Sequence, residues 1–184
     1  KPRSLAKIEQ AVLAESEFAT DDFFYQWIVT NKDGKREVIQ GGTISLALCM
    51  AREWTNNVVK VDVEEKDGSW VFKGSFIDLE RGSTVERLFR KSIPTTSAGN
   101  YEGDRWVDMM FQKAQSQALR NVIFSSLPRW LKDKAVEKSR DAALRNIETY
   151  GLDKAKDMIL LALLKLGVSS DQVETYLAKP HKDW

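Results

Sequence analysis

Three glycine-containing dipeptides, Asp33-Gly34, Asp67-Gly68 and Arg81-Gly82, divide the first half of the chain and constrain its fold more than any other feature. Each lies between runs rich in β-branched and aromatic residues, and the Asp-Gly pairs suit tight turns because both residues tolerate positive φ. The first joins a strand-like run at 24–30 to one at 36–40. The other two join runs at 58–65, 70–79 and 84–93 into a three-stranded antiparallel meander. Alternation supports the assignment, because Val59, Val61 and Val63 point one way while Lys60, Asp62 and Glu64 point the other.

Helical spacing brackets these strands. Residues 4–17 place Leu5, Ile8, Ala11 and Val12 on one face. After Gly41-Gly42, Thr43 is positioned to cap a helix over 44–54 with an apolar stripe of Leu46, Ala47, Met50 and Trp54. A loop rich in Thr, Ser, Gly and Asn is expected over 94–104, then a long helix over 105–126 that stops near Pro128. Helices over 132–149, 152–166 and 171–177 follow, the last entered through Ser169 or Ser170. The expected class is α+β: an antiparallel β-meander plus a hairpin packed with helices, then a helical C-terminal segment. The predicted organisation is a core over 1–130 and a helical part over 131–184. Lys1 in place of methionine, and the polar end that carries His181, read as a chain cut at both ends.

Composition mainly excludes. The single cysteine, Cys49, rules out an internal disulfide and falls in an apolar helical pattern, which predicts a buried thiol and a reducing compartment. No apolar stretch approaches bilayer length and no leader is visible, so the expected location is the cytoplasm, without membrane contact. With His181 as the only histidine, His-based triads and His/Cys metal clusters are essentially unavailable, and no catalytic residue is assigned. Gly41-Gly42-Thr43 lacks the lysine of a phosphate loop, so neither ATP nor another cofactor is expected. One enzymatic pattern remains: Glu64-Glu65-Lys66, with Asp62 before it, resembles the strand end on which some nucleases hold Mg²⁺, although a solvated hairpin end explains it better.

The net charge of +1 announces no partner, but its distribution does. Between Arg81 and Ala135 ten basic residues face five acidic ones, a local excess of +5. On the long helix Val107, Met110, Phe111, Ala114, Ala118 and Val122 form the core face, leaving Lys113, Ser116, Gln117 and Arg120 together on another. Cations spaced by one or two helical turns can neutralise neighbouring phosphates while amides and hydroxyls hydrogen-bond between them. In the third meander strand Arg87 and Lys91 share a face with Val85 and Phe89, with Arg90 on the other, and this strand is expected to form an opposing wall. Taken singly each of these reads equally well as an ordinary solvated side chain; the cluster carries the inference. Among the aromatic residues, Trp70, Phe72 and Phe76 alternate as core residues do, and Trp106 and Trp130, which flank the basic helix, are the stacking candidates.

These residues resemble the phage single-strand annealing proteins of the RecT/Redβ/Erf type, relatives of the eukaryotic annealing recombinases. One similar stretch is Ile39-Gln40-Gly41-Gly42-Thr43-Ile44-Ser45-Leu46-Ala47, continuing through Ala51-Arg52-Glu53-Trp54-Thr55-Asn56 to Phe76-Ile77-Asp78-Leu79-Glu80. The other is Ala114-Gln115-Ser116-Gln117-Ala118-Leu119-Arg120-Asn121-Val122-Ile123, ending in Leu127-Pro128. The segment Leu163-Leu164-Lys165-Leu166-Gly167-Val168-Ser169 is similar to the helical tail of such proteins. The pattern departs at Ser45 and Leu48, where members carry an Arg and a Glu.

The resemblance implies a non-enzymatic, ATP-independent protein of homologous recombination that forms rings or helical filaments of identical subunits. It would hold single-stranded DNA in a narrow basic groove between the sheet and a long helix, pair it with a complement into an annealed duplex intermediate, and work beside a cognate exonuclease or single-strand-binding protein. By position it points first to Arg120 and Asn121. The full set of expected DNA contacts is Lys113, Gln117, Arg120 and Asn121 on the helix, Arg105 and Arg129 at its ends, and Arg87, Arg90 and Lys91 on the strand. A second reading makes residues 152–177 a protein-interaction module of a replication or repair complex, with the basic stripe contacting an acidic partner.

Overall fold

The main core is built around one helix, α2 (Ile44–Trp54), which buries Leu46, Ala47, Cys49, Met50 and Trp54. Thr43 caps it as its spacing predicts: the hydroxyl oxygen accepts from the Leu46 N–H at 3.4 Å while the hydroxyl donates to the Asp22 carbonyl. The computed structural model describes residues 2–95 and 103–177; most of the loop expected over 94–104, and His181, lie outside them. The chain divides into two compact units, 1–140 and 141–184.

In the first unit α1 (Leu5–Ala19) lays Ile8 and Val12 against α2. Two separate sheets follow. β1 (Phe24–Thr30) and β2 (Arg36–Gly42) form an antiparallel hairpin, while β3 (Asn57–Lys66), β4 (Ser69–Asp78) and β5 (Ser83–Ser92) form the expected meander in that order. Asp67 and Gly68 both hold positive φ, at 49° and 64°, in a two-residue turn between paired Lys66 and Ser69. The equivalent dipeptide in the hairpin sits in a longer loop, where the Asn31 side-chain oxygen accepts from the Asp33 and Lys35 N–H groups.

α3 (Asp104–Ser126) covers one face of the meander. Ala114 and Ala118 lie over Trp70 and Phe72, and Phe111 meets Trp70 edge-on with ring centroids 5.3 Å apart. The small residues let the helix approach: a Cβ on Gly74 would stand 3.0 Å from Cβ of Val122. Val122 and Ile123 then join α2, and Leu131 and Ala135 of α4 (Arg129–Tyr150) complete the same core. That helix begins at Arg129 rather than at the expected 132, directly after Pro128, whose carbonyl accepts from the Leu131 and Lys132 N–H groups. The core boundary expected at 130 therefore falls inside a helix that the two units share.

A buried ion pair ties the chain start to the meander. Arg3 donates both terminal nitrogens to the Asp78 carboxylate, Nε to the Trp54 carbonyl and Nη2 to the Thr55 carbonyl, with Arg3 only 4% and Asp78 8% exposed. The hydrogen bond from Arg3, reinforced by Trp54 Nε1 and the Arg81 N–H, holds the Asp78 carboxyl well below the usual carboxylate range. Burial, with Glu15 beside it, pushes the Cys49 thiol up to about 12.

The second unit contains the end of α4, α5 (Leu152–Lys165) and α6 (Ser170–Leu177), close to the expected bounds. Its helices bury little: Met158, Ile159, Leu161 and Leu164 of α5 are all exposed. Among the described residues no helix is long and apolar enough to cross a membrane.

Candidate functional site

The polar face of α3 borders an open groove. Lys113, Ser116, Gln117 and Arg120, spaced to share one face, form one side of a groove of about 490 Å³. The wall opposite them is the hairpin: Tyr25 and Trp27, two residues apart on β1 and so on one strand face, line it. Thr43 and Ile44, at the start of α2, complete the lining.

The two rings stack on each other with centroids 4.7 Å apart and an interplanar angle of 20°. Trp27 remains 49% exposed, so the stack offers a free aromatic surface rather than a sealed core contact. The Arg120 guanidinium carbon lies 5.5 Å from the Tyr25 ring centroid, a cation–π contact that joins the walls. Among the described residues no carboxylate lines the groove, and the partial positive charge at the start of α2 adds to that of Lys113 and Arg120.

The Gly41-Gly42 pair makes this geometry possible through its missing side chains. A Cβ on Gly41 would stand 2.5 Å from the Tyr25 hydroxyl oxygen, so only glycine lets that ring fold over β2. A Cβ on Gly42 would stand 2.7 Å from Cζ of Phe124 and 3.0 Å from a Leu46 methyl, where the hairpin root meets α3 and α2. The hairpin is thus gripped at its base, while Ile28, Val38 and Ile39 further along stay exposed.

The other expected contacts are dispersed. Asn121 is half-buried on the flank of α3, and its carbonyl accepts from the Ser125 hydroxyl. Arg87 donates to the same hydroxyl oxygen at 2.7 Å, bracing β5 against the C-terminal end of α3. Register places Lys91 opposite Trp70 on the helix-facing side and Arg90 opposite Val71 on the open side. Arg105 is exposed in the first turn of α3, and Arg129 starts α4 with Nε 3.3 Å from Asp133. The expectation that β5 forms the opposing wall is therefore corrected: that strand is the edge of the sheet that α3 covers, and the hairpin takes the place.

The stacking candidates change as well. Trp106 is partly buried, and Trp130 sits under the Lys134 ammonium at 5.4 Å; neither lines the groove. Tyr25 and Trp27 were missed, although an aromatic pair at i and i+2 on a strand already predicted to lead a hairpin was the available signal. Asp62 and Glu64 share one face of β3 and Glu65 takes the other; among the described residues no three His, Cys, Asp or Glu side chains converge to hold a metal ion. Compared with protein-family models, curated proteins and solved structures, the chain matches none, so the groove has to be understood from its own residues.

Proposed function

We propose that this chain binds single-stranded DNA in the groove between α3 and β1 and brings complementary strands together without ATP, as an annealing protein of homologous recombination. The observation that carries the binding half is the face-to-face placement of the Lys113–Gln117–Arg120 stripe and the Tyr25–Trp27 stack. A single strand has the matching pair of surfaces, anionic phosphates along one side and unstacked base faces along the other. A duplex hides its base faces, so it lacks the second surface. Phosphates would lie on Lys113 and Arg120, with Ser116 and Gln117 hydrogen-bonding between them, while a base stacks on Trp27.

The annealing half rests on the resemblance of residues 39–56 and 114–128 to phage annealing proteins. Its physical logic is neutralisation. Strands whose phosphates are paired with cations repel each other less, and a ring or filament of identical subunits adds many short sites through effective concentration. The test is direct: Lys113→Ala and Arg120→Ala should each weaken single-strand binding and lower the slope of log K against log salt by roughly 0.7. If both leave binding and annealing rate unchanged at moderate salt, the groove reading is wrong.

A second reading draws on the exposed Met158, Ile159, Leu161 and Leu164, which suit a protein partner, such as a cognate exonuclease or single-strand-binding protein. Truncation after Tyr150 should then abolish activity in a reconstituted reaction while leaving oligonucleotide binding intact.

A further inference from the structure

Across β2 lies a second cavity of about 430 Å³, bounded by Gln40 and Gly41 on one side and by α4 on the other. Arg129, Lys132, Val136 and Arg140, on one face of that helix, line it. Gly41 and Tyr25 stand between the two spaces: Gly41 lines the second cavity, and the Tyr25 hydroxyl, from the wall of the first, occupies the space a side chain at Gly41 would need. The saddle between them is one tyrosine edge over one glycine.

The linings differ in chemistry. The first offers two cations and two stacked rings; the second offers three cations and no ring, with Val136 as its apolar residue and Asp133 and Glu137 as countercharges. Asp133 holds Arg129 only at the surface. Arg129 and Asp133 meet at 3.3 Å with 87% and 54% of their side chains exposed, and a pair so open to water contributes little. One carboxylate also uses only part of a guanidinium's five donors. Lys132 reaches the same carboxylate at 3.3 Å and lies 5.9 Å from the Phe124 ring, the ring that packs on Gly42.

We propose that the second cavity is a phosphodiester subsite that continues the groove, so that a strand stacked on Tyr25–Trp27 crosses Gly41 and lays its next phosphates on Arg129, Lys132 and Arg140. This rests on the single-strand reading of the first groove. It divides the labour along one strand. A base is held by ring contact in the first cavity, whereas the second grips backbone alone and leaves its bases outward, available for pairing.

The test is a length series. Oligothymidylates of about four to about sixteen nucleotides, a span that brackets single-strand site sizes, are titrated against the full chain and its variants. Arg129→Ala and the Arg129→Ala/Lys132→Ala pair should leave the shortest oligonucleotide within about twofold of wild type. The pair should weaken the longest about tenfold and lower its salt slope by roughly 0.7 per cation removed. Glu137→Gln, which removes a countercharge, should tighten only the longer ones. Arg129→Ala changes an exposed residue, so its result stands if the double variant fails to fold.

Equal loss at every length, or none at any, overturns the subsite. Loss confined to the pairing step, with unchanged binding of long oligonucleotides, also overturns it and assigns the cavity to the complementary strand. If inorganic phosphate at matched ionic strength displaces the longer oligonucleotides while Arg129→Ala shows no length dependence, the cavity holds a small anion and the proposal fails. The underlying reading fails separately, through Lys113→Ala and Arg120→Ala that leave even the shortest oligonucleotide bound as before.

Discussion

The hairpin and the meander begin from the same sequence grammar, alternating strands joined through Asp-Gly, and end in opposite physical conditions. The meander lies under α3, with Phe72 fully buried and Trp70 nearly so. The hairpin is held only at its root, where Gly41 and Gly42 meet Tyr25, Phe124 and Leu46, and its length stays in contact with solvent. A two-stranded ribbon is marginal in water by itself, so the hairpin's order comes from that root and from the Asn31 turn. Strand pattern and turn chemistry specify the ladder. What an aromatic residue on the ladder is for depends on whether a helix covers it.

The sharpest way to break the comparison is the same kind of truncation in each region. Phe72→Ala empties a closed site and should cost about 3–5 kcal/mol of stability, measured by urea unfolding, through lost burial and the cavity left behind. If it costs under about 1 kcal/mol, the meander core is not closed as described.

Acid should divide the regions next. Asp78 ends β4 and its folded-state carboxyl titrates below its unfolded value of about 3.9, so the ionised form stabilises the fold above that pH. The stabilisation is lost as pH falls from there through the lower folded value. Wild type should therefore lose stability steeply below about pH 4, and Asp78→Asn should be weaker at neutral pH but flatter on acidification. Parallel stability profiles for the two proteins would deny the Arg3–Asp78 pair this role.

Trp27→Ala should do the reverse of Phe72→Ala, changing stability by about 1 kcal/mol or less while removing about 1–3 kcal/mol of oligonucleotide binding. Smallest of all is Gly41→Ala, whose methyl displaces the Tyr25 hydroxyl; it should weaken binding by about 1 kcal/mol with the cations intact and the salt slope unchanged. A fall in that slope would mean that the ring positions cations rather than a base.

Much of this architecture was legible in the chain. The strands, the α2 stripe of Leu46, Ala47, Met50 and Trp54, and the grouping of Lys113, Ser116, Gln117 and Arg120 follow from periods of 2 and 3.6, which are local properties. The wall facing that stripe was not legible, because it depends on which sheet the helix covers. Arg87 and Lys91 had the right charge on the right strand face, yet β5 is an edge of the covered sheet, while Tyr25 and Trp27 sit on a separate hairpin. Nor did Arg3 stand out: its value comes from Asp78, 75 positions away, and no periodicity spans that distance. The two glycines were visible as a motif, but the reason for them, the Tyr25 and Phe124 rings, appears only once the chain is folded.

The buried thiol of Cys49 gives this molecule an internal clock. It is the only cysteine in the chain, it is 1% exposed on the helix around which the main core is built, and it stays protonated at neutral pH. An alkylating reagent needs both access and thiolate, so it can react only during excursions that detach α2. The rate of labelling then counts how often the core opens, without any mutation or added dye. An oligonucleotide bound against Ile44 and Arg120 should slow it in proportion to occupancy, because binding to the closed form alone depletes the open one.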